Sequence, residues 1–354
     1  MAAYDALLLL SFGGPERPDE VLPFLRNVTR GREVSNERLA QVAEHYQHFG
    51  GVSPINEQNR ALLTAIGKEF TAHGLDLGLY WGNRNWYPYV DDTMRTMVAD
   101  GVKRALVLAT SATSSYSGCR QYRENLADAQ AELGPSAPLL HKLRHYFDHP
   151  GFVAANADRV RAALTELPPD RREAARLVFT AHSVPVAMNA SSGPSGGLYL
   201  DEHRETARLV AEAVRGPRAE FDLVWQSRSG PSRVPWLQPD INDHLRTLAA
   251  QETAAVVVSP TGFVSDHLEV RWDLDTEARE TAAELELPFA RAATAGTHPA
   301  FVAMVRELAE EELSGAPRRA LGSLGICGLN CPPGCCPRPA RHSPQPREGV
   351  RRAF

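Results

Sequence analysis

The sequence contains no long apolar run. The longest, Ala6 to Leu10, has the length of a strand, whereas a transmembrane helix needs roughly 20 apolar residues. The amino terminus lacks a basic segment followed by an apolar core and a cleavage site, so we expect no signal peptide and a cytoplasmic protein. The net charge of −5 and the pI near 6.2 give no basic excess, which argues against a nucleic-acid partner.

Glycine motifs for nucleotide binding are also absent. The sequence has no G-x-G-x-x-G fingerprint and no P-loop, and the segment Phe12-Gly13-Gly14-Pro15-Glu16 fits neither pattern. A nicotinamide or nucleotide enzyme is therefore disfavoured.

Cysteine is scarce and unevenly placed. One of the five cysteines, Cys119, stands alone, and the other four lie within ten residues near the carboxyl terminus: Cys327, Cys331, Cys335 and Cys336. In a reducing compartment such a cluster indicates a metal or iron–sulfur site more readily than disulfides.

The pattern of apolar segments predicts an α/β fold. The chain has 354 residues, of which 43% are hydrophobic and 23% charged, as in ordinary globular proteins of about two domains. Short apolar runs alternate with amphipathic helices, which favours parallel sheets with helices on both faces. We predict strands at Tyr4–Ser11, Leu75–Trp81, Arg104–Thr110, Leu139–Tyr146, Arg176–Ala181, Phe221–Ser227, Ala254–Ser259 and Phe289–Ala293. We predict helices at Asn36–Phe49, Ile55–Ala72, Gly151–Leu167, Tyr199–Val214 and Pro299–Leu313.

The two halves of the chain resemble each other. The segment Leu7–Pro15 is similar to Leu177–Pro185, and Ala105–Thr110 is similar to Ala255–Pro260. We therefore expect two similar α/β domains that face each other across a cleft, at residues 1–145 and 146–295. Residues 296–320 form a terminal helix that packs back towards the first domain, and residues 321–354 contain the cysteines and a basic, proline-rich tail that we expect to be disordered.

Two strand ends carry candidate catalytic residues. His182 follows one predicted buried strand, and Glu269 follows the turn after another. Because ligands in open α/β sheets bind beyond the carboxyl ends of the strands, this pair suits a base and a metal site. Glu269, Asp273 and Glu277 are spaced four residues apart, so one helix face carries three carboxylates that repel one another unless a cation lies there. The alternative is a capping histidine and a solvated acidic face.

Five motifs in chain order resemble those of the ferrochelatases, and within them the coproporphyrin ferrochelatases of Gram-positive bacteria. The resemblance covers about residues 4 to 313. The motifs are Leu10–Pro15, Gly50–Asn56, Thr180–Pro185, Trp225–Ser227 and Gly262–Glu269.

The resemblance implies a fold and an activity. The fold is two Rossmann-like domains of the chelatase type around a central porphyrin cleft. The activity is insertion of Fe²⁺ into coproporphyrin III with release of two protons, a late step of haem biosynthesis. It assigns base and metal-ligand roles to His182 and Glu269, and the row Glu269, Asp273, Glu277 then looks like a path for metal or protons. His267, two residues from Glu269, points elsewhere and is interpreted as structural.

Substrate contacts are implied by the same resemblance. Ser53 and Asn56 offer donors to the propionates, although Ser53-Pro54 also suits a helix start. Trp225 is an aromatic candidate for the cleft, together with Trp81, Trp86, Tyr87 and Trp236, with core packing as the alternative. Many relatives place an iron-ligating tyrosine where this chain has Phe12, which cannot bind metal and is expected only to contact the substrate. The family pattern points instead to Tyr122 as the pocket tyrosine, with packing near Cys119 as its alternative.

Some members of the family carry a [2Fe–2S] cluster on three carboxy-terminal cysteines and one distant cysteine. Here the resemblance implies Cys119, Cys327, Cys331 and Cys336 as ligands, with Cys335 spare; a zinc site is the alternative.

Other functions remain open at this point. The enzyme could use protoporphyrin IX, or insert cobalt into a related macrocycle. A non-catalytic haem or porphyrin carrier would have no need of the acidic row, and an iron–sulfur electron carrier would leave the cleft idle. The resemblance implies coproporphyrin III and Fe²⁺ as partners, upstream and downstream enzymes of haem synthesis as further partners, and a monomer.

Overall fold

The computed structural model describes residues 4–31, 34–230, 233–328, 331–332 and 334–339. Within these ranges the chain forms two four-stranded parallel sheets flanked by helices. The strands are β1 (Ala6–Ser11), β2 (Gly78–Asn83), β3 (Arg104–Ala109), β4 (Leu139–Lys142), β5 (Arg176–His182), β6 (Asp222–Gln226), β7 (Val256–Ser259) and β8 (Phe289–Arg291). All eight predicted strands are present, with ends shifted by a few residues.

The helices alternate with the strands along the chain. They are α1 (Val21–Val28), α2 (Asn36–His48), α3 (Ile55–Ala72), α4 (Val90–Ala99), α5 (Gln121–Leu133), α6 (Pro150–Glu166), α7 (Val186–Ala190), α8 (Leu198–Arg215), α9 (Ile241–Ala250), α10 (Leu268–Arg271), α11 (Ala278–Glu284) and α12 (Pro299–Leu313). Short 3₁₀ turns lie at Pro18–Glu20 and Gly134–Ser136, and π-helical segments at Tyr116–Arg120 and Trp272–Glu277. No helix in the described part of the chain is long and apolar enough to cross a membrane.

Both sheets have the same strand order. It is β2-β1-β3-β4 in the first and β6-β5-β7-β8 in the second, with every pair parallel. The order reverses between β1 and β3, and between β5 and β7. Ligands in such sheets bind where the order reverses, outside the carboxyl ends of these strands. The repeated topology confirms the prediction of two similar α/β halves and fixes one candidate binding edge in each.

Burial on both faces explains why β1 can be so apolar. Its residues Ala6 to Leu10 are fully buried. Leu7 and Leu9 pack on the side of α3 and α12, whereas Leu8 and Leu10 pack on the side of α4 and α5. A strand covered on both faces needs a continuous apolar run rather than an alternating one.

The last helix packs back onto the first half of the chain. Phe301 of α12 is fully buried in one cluster with Leu62 of α3 and with Leu7. This is the packing expected for the terminal helix. The boundaries at residues 145, 295 and 320 stay predictions, and the tail from residue 340 lies outside the described residues.

Candidate functional site

His182 is the last residue of β5, at the edge where the second sheet reverses its order. Its side chain is 34% exposed, and its Nε2 lies 3.8 Å from Oε2 of Glu269, which is 46% exposed. The loop after β7 brings Glu269 there as the second residue of α10. The structure therefore brings together the two residues that the sequence predicted as a pair.

A backbone carbonyl fixes the tautomer of His182. Nδ1 of the imidazole lies 2.5 Å from the carbonyl oxygen of Ser183. Because a carbonyl oxygen only accepts hydrogen bonds, Nδ1 carries the proton in this contact. In the neutral ring the lone pair that can accept a proton or bind a metal is then on Nε2, on the side of Glu269.

Two of the three residues of the acidic row lie on a π-helical segment rather than on a regular α-helix. Glu269 is in α10, whereas Asp273 and Glu277 belong to the π-helical turn that separates α10 from α11. Such turns often occur at functional sites. The indole nitrogen of Trp272 donates to Glu277 at 2.8 Å, and its ring stacks on His45 with centroids 3.9 Å apart.

The carboxyl of Asp273 has a raised pKa. Burial raises the pKa of Asp273 to about 7, the Ser227 hydroxyl opposes the shift, and the carboxylates of Glu269 and Glu277 add to it. Gln226 Nε2 donates to its Oδ2 at 3.1 Å, and the Ser227 hydroxyl donates to the same oxygen. A carboxyl with this pKa can take up and release protons near neutral pH.

Two adjoining cavities contain the acidic row. The inner cavity, of about 240 Å³, is lined by Glu269, Asp273 and Glu277 and by residues of α2. The outer cavity, of about 430 Å³, shares Glu277 and Asp240 with the inner one. Its other carboxylates are Asp243, Glu280 and Glu284. A line of carboxylates therefore extends from the molecular surface to Glu269.

The predicted propionate donors are buried behind the first strand-end turn. Asn56 is fully buried, and its amide nitrogen donates to the carbonyl oxygens of Gly14 and Tyr87, both at 3.1 Å. Ser53 is 3% exposed and packs so closely on Gly14 that a Cβ there would lie 2.6 Å from its own Cβ. Its side chain does not cap α3, where Pro54 stands at the cap without a side-chain hydrogen bond. Both residues shape the turn, and their direct contact with substrate stays a prediction.

The guanidinium of Arg84 contacts two of the aromatic residues predicted for the pocket, Phe12 and Tyr122. Arg84 lies 5.8 Å from the ring centroid of Phe12 and 4.9 Å from that of Tyr122. Tyr122 is 4% exposed, and burial raises the pKa of its phenol while Arg84 opposes the shift. A neutral, buried phenol would need a rearrangement to reach iron, so the axial-ligand role of Tyr122 stays a prediction.

Trp225 lies inside the second half of the molecule. It is 2% exposed and stacks on Tyr199, with centroids 5.8 Å apart and planes inclined by 27°. It packs with Ala181, Val184 and Tyr199 in one buried cluster. Its role as a substrate contact also stays a prediction.

The tail cysteines fold back onto the loop that contains Cys119. Arg120 Nε donates to the carbonyl of Cys335 at 2.9 Å, Arg123 donates to that of Gly328 at 2.7 Å, and the amide of His145 donates to that of Cys327 at 3.0 Å. These bonds hold the carboxy-terminal segment, whose described residues form no helix or strand, against the first half of the molecule.

The thiol groups converge at this point. A hydrogen bond with Cys331 lowers the pKa of Cys119, against its burial and with help from His145 and Lys142. Sγ of Cys335 lies 3.8 Å from Sγ of Cys336, and all five cysteines are free thiols. The distant cysteine and the tail therefore meet, and their soft sulfur donors fit the iron–sulfur cluster that the family resemblance implies.

Sequence reasoning missed several residues at the cysteine site and at the site around His182 and Glu269. Ligand atoms of His145, Glu202 and Cys327 lie within 4.8 Å of one another, and nothing in the sequence pattern singled out the first two. Gln226 and Ser227, the partners of Asp273, did stand in a recognised motif at the end of β6, but without a role. His267 matches its structural interpretation, because its Nδ1 accepts from the Val270 amide at the start of α10.

The fold has a counterpart among solved structures. SirB from Bacillus subtilis with Fe³⁺ matches with a TM-score of 0.53, covering 88% of this chain and 97% of that one. At 13% identity the likeness bears on the fold alone.

Proteins of similar sequence carry a common name. The coproporphyrin III ferrochelatase of Streptomyces griseus is 57% identical over 352 residues, covering 95% of this chain and 94% of that relative. The protein of the same name from Nocardia farcinica is 58% identical, covering 94% and 97%. That from Mycolicibacterium smegmatis is 54% identical, covering 94% and 99%. The ferrochelatase family model matches residues 4–313. The chain therefore belongs to the ferrochelatase family.

Proposed function

We propose that this protein inserts Fe²⁺ into coproporphyrin III, giving Fe-coproporphyrin III and two protons, as a late step of haem biosynthesis. Family membership supports metal insertion, and the shared name of its relatives supports coproporphyrin III as substrate. The observation that carries the chemistry is the pair of His182 Nε2 and Glu269 Oε2, 3.8 Å apart at the strand edge where ligands bind.

The pair can perform both halves of the exchange. Two pyrrole protons must leave the macrocycle as Fe²⁺ enters, so the net change in charge on the ring system is zero. Nε2 of His182 has a lone pair that accepts the two pyrrole protons one after the other, and the Glu269 carboxylate beside it receives each proton and passes it to the acidic row, or holds the incoming ion. The carbonyl of Ser183 keeps the proton on Nδ1, so the lone pair of the neutral ring is on Nε2.

The two substrates reach the pair from different sides. The inner cavity, at about 240 Å³, is smaller than pockets for drug-sized ligands, so the macrocycle lies outside it, on the side of His182. Fe²⁺ arrives along the carboxylates from Glu277 to Asp273 to Glu269, and protons leave by the same line. A row of mutually repelling carboxylates is stabilised when a cation passes between them.

The competing functions lack this support. A porphyrin carrier needs no acidic line ending at a histidine. A protoporphyrin or cobalt enzyme would use the same pair, so the choice of coproporphyrin and iron depends on the relatives' names.

We also propose a resident [2Fe–2S] cluster held by Cys119, Cys327, Cys331 and Cys336, with Cys335 spare. The meeting of Cys119 with the tail supports it, and the nitrogen and carboxylate donors of His145 and Glu202 leave zinc as the alternative. When bound, the cluster would cross-link the tail to the first half of the molecule. A cytoplasmic location, where thiols stay reduced, a monomeric state and contacts with neighbouring haem enzymes belong to the same proposal.

Replacing His182 tests the catalytic pair. His182→Ala removes the base, so turnover of coproporphyrin III with Fe²⁺ under anaerobic conditions should fall by about 10²- to 10⁴-fold, while porphyrin binding followed by absorption persists. His73→Ala, an exposed histidine at the end of α3, is the matched control and should turn over normally. Wild-type turnover in His182→Ala would remove this residue from the mechanism.

Neutralising the acidic row one residue at a time tests the path. Glu269→Gln should abolish turnover, whereas Asp273→Asn and then Glu277→Gln should show progressively smaller losses, mainly as a raised KM for Fe²⁺, because each lies further from the ring. Asp170→Asn, at an exposed site, serves as control. A loss in Glu277→Gln as severe as in Glu269→Gln would contradict the order.

The variant Asp273→Asn also tests how the free energy of unfolding depends on pH. Since the pKa of Asp273 is about 7 in the folded protein against an ordinary 3.8, the folded state keeps a proton that the unfolded chain releases. The free energy of unfolding of the wild type, measured by denaturant titration, should therefore fall relative to Asp273→Asn as the pH rises from about 4 to 7.

Cysteine replacement tests the shared cluster. Purified protein should be reddish-brown with about two irons per chain. Cys119→Ser should lose the visible absorption and the iron, because it removes the ligand that the tail cannot supply, whereas Cys335→Ser should keep both. Full iron content in Cys119→Ser would rule out the shared site, and stoichiometric zinc without iron would replace the cluster by a zinc site.

A further inference from the structure

The first turn of helix α8 lies between the catalytic histidine and the cysteine site. It begins at Leu198, directly after two glycines with left-handed backbone, Gly196 and Gly197. Tyr199 and Glu202 are three residues apart, so they project from the same side of this turn. Both side chains are buried. Tyr199 bonds to the backbone of His182, and Glu202 bonds to Ser114 in the loop that leads to Cys119.

Tyr199 holds the backbone of His182. Its hydroxyl donates to the carbonyl oxygen of His182 at 2.7 Å. The ring is 6% exposed and is held between Trp225, on which it stacks, and His203, whose ring lies edge-on with centroids 4.5 Å apart. Burial raises the pKa of this phenol, so it stays a hydrogen-bond donor at physiological pH. A donor fixed this firmly defines the orientation of the peptide group that it binds.

That peptide group joins His182 to Ser183, whose own carbonyl accepts the Nδ1 proton. The amide of Ser183 donates to the carbonyl of Gln226 at 2.7 Å. The peptide is thus held from the amide side by β6 and from the carbonyl side by Tyr199. If the carbonyl of His182 were released, the carbonyl of Ser183 could rotate away from Nδ1, and the direction of Nε2 towards Glu269 would be less well defined.

Glu202 attaches the same turn to the cysteine loop. Its carboxylate is fully buried and accepts from both the amide and the hydroxyl of Ser114, the latter at 2.7 Å. Ser114 Oγ lies 3.3 Å from Sγ of Cys327. On the other side, the amide of Gly193, in the loop before α8, donates to Sγ of Cys336 at 3.1 Å. The cysteine site is therefore bonded to both the start of α8 and the loop that precedes it.

We propose that Tyr199 is a positioning residue for His182, and that Glu202 anchors the helix turn carrying Tyr199 to the cysteine loop. The inference depends on the proposed role of His182 as base. It assigns the buried glutamate and tyrosine of α8 a part in turnover, although neither touches the substrate.

Removing the hydroxyl of Tyr199 tests its role in positioning His182. Tyr199→Phe keeps the ring and its packing, so the porphyrin KM should be unchanged while kcat falls about tenfold and the acidic limb of the pH profile of kcat shifts, because His182 is less well oriented. Tyr80→Phe is the matched control, since that hydroxyl donates to Asp100 on the outside of the first sheet and should leave kcat and the pH profile unchanged.

Glu202→Gln tests the anchor with a readout that does not depend on activity. Amide hydrogen exchange should become faster both in the peptide covering residues 198–203 and in that covering the end of β5, whereas Tyr199→Phe should accelerate the end of β5 alone. The kcat losses of the two variants should not add in the double variant, because both act through one bond.

The outcomes separate the two proposals. If His182→Ala is inactive while Tyr199→Phe has the wild-type kcat and pH profile, the positioning role is overturned and the catalytic pair stands. If His182→Ala is fully active, the proposed function of the pair fails first. Unchanged exchange at the end of β5 in Glu202→Gln would overturn the anchor.

Discussion

The contact between Nδ1 of His182 and the carbonyl oxygen of Ser183 is the interaction on which the site depends. It decides which ring nitrogen has a lone pair, and therefore whether the histidine can accept a pyrrole proton or bind a metal through Nε2. The sheet places this histidine at the edge where the strand order reverses, and the turn after β7 places Glu269 opposite. The second half of the fold thus holds one imidazole in one tautomer beside one carboxylate.

Placing the three carboxylates of the acidic row in consecutive helical turns is unfavourable for stability. Burial raises the pKa of Asp273 to about 7, and the carboxylates of Glu269 and Glu277 add to that shift. The π-helical turn, the hydroxyl of Ser227 and the amide of Gln226 keep that carboxyl in place. The acidic row lines two cavities. A cation can therefore enter it without displacing packed side chains.

The sequence predicted the architecture well because burial on both faces leaves a clear signal. Runs such as Ala6–Leu10 identify β1 without further information, and the residues after the strands identified His182 and Glu269. The π-helical turn was not predicted, since its residues have an ordinary helical pattern. Tyr199 and Glu202 were missed because their importance lies in bonds to residues far away in the chain, which no local spacing reveals. The family pattern predicted Tyr122 in the pocket, and Trp225 was predicted there as an aromatic near a strand end; only the packing shows how deeply both are buried.

The most direct test of the account is the protonation state of His182. In protein with ¹⁵N-labelled histidine, the signals that disappear in His182→Ala should be those of a neutral ring with the proton on Nδ1, and the Nε2 signal should shift when Zn²⁺ is added as a diamagnetic substitute for Fe²⁺. A neutral ring protonated on Nε2, or an Nε2 signal indifferent to the metal, would contradict the account.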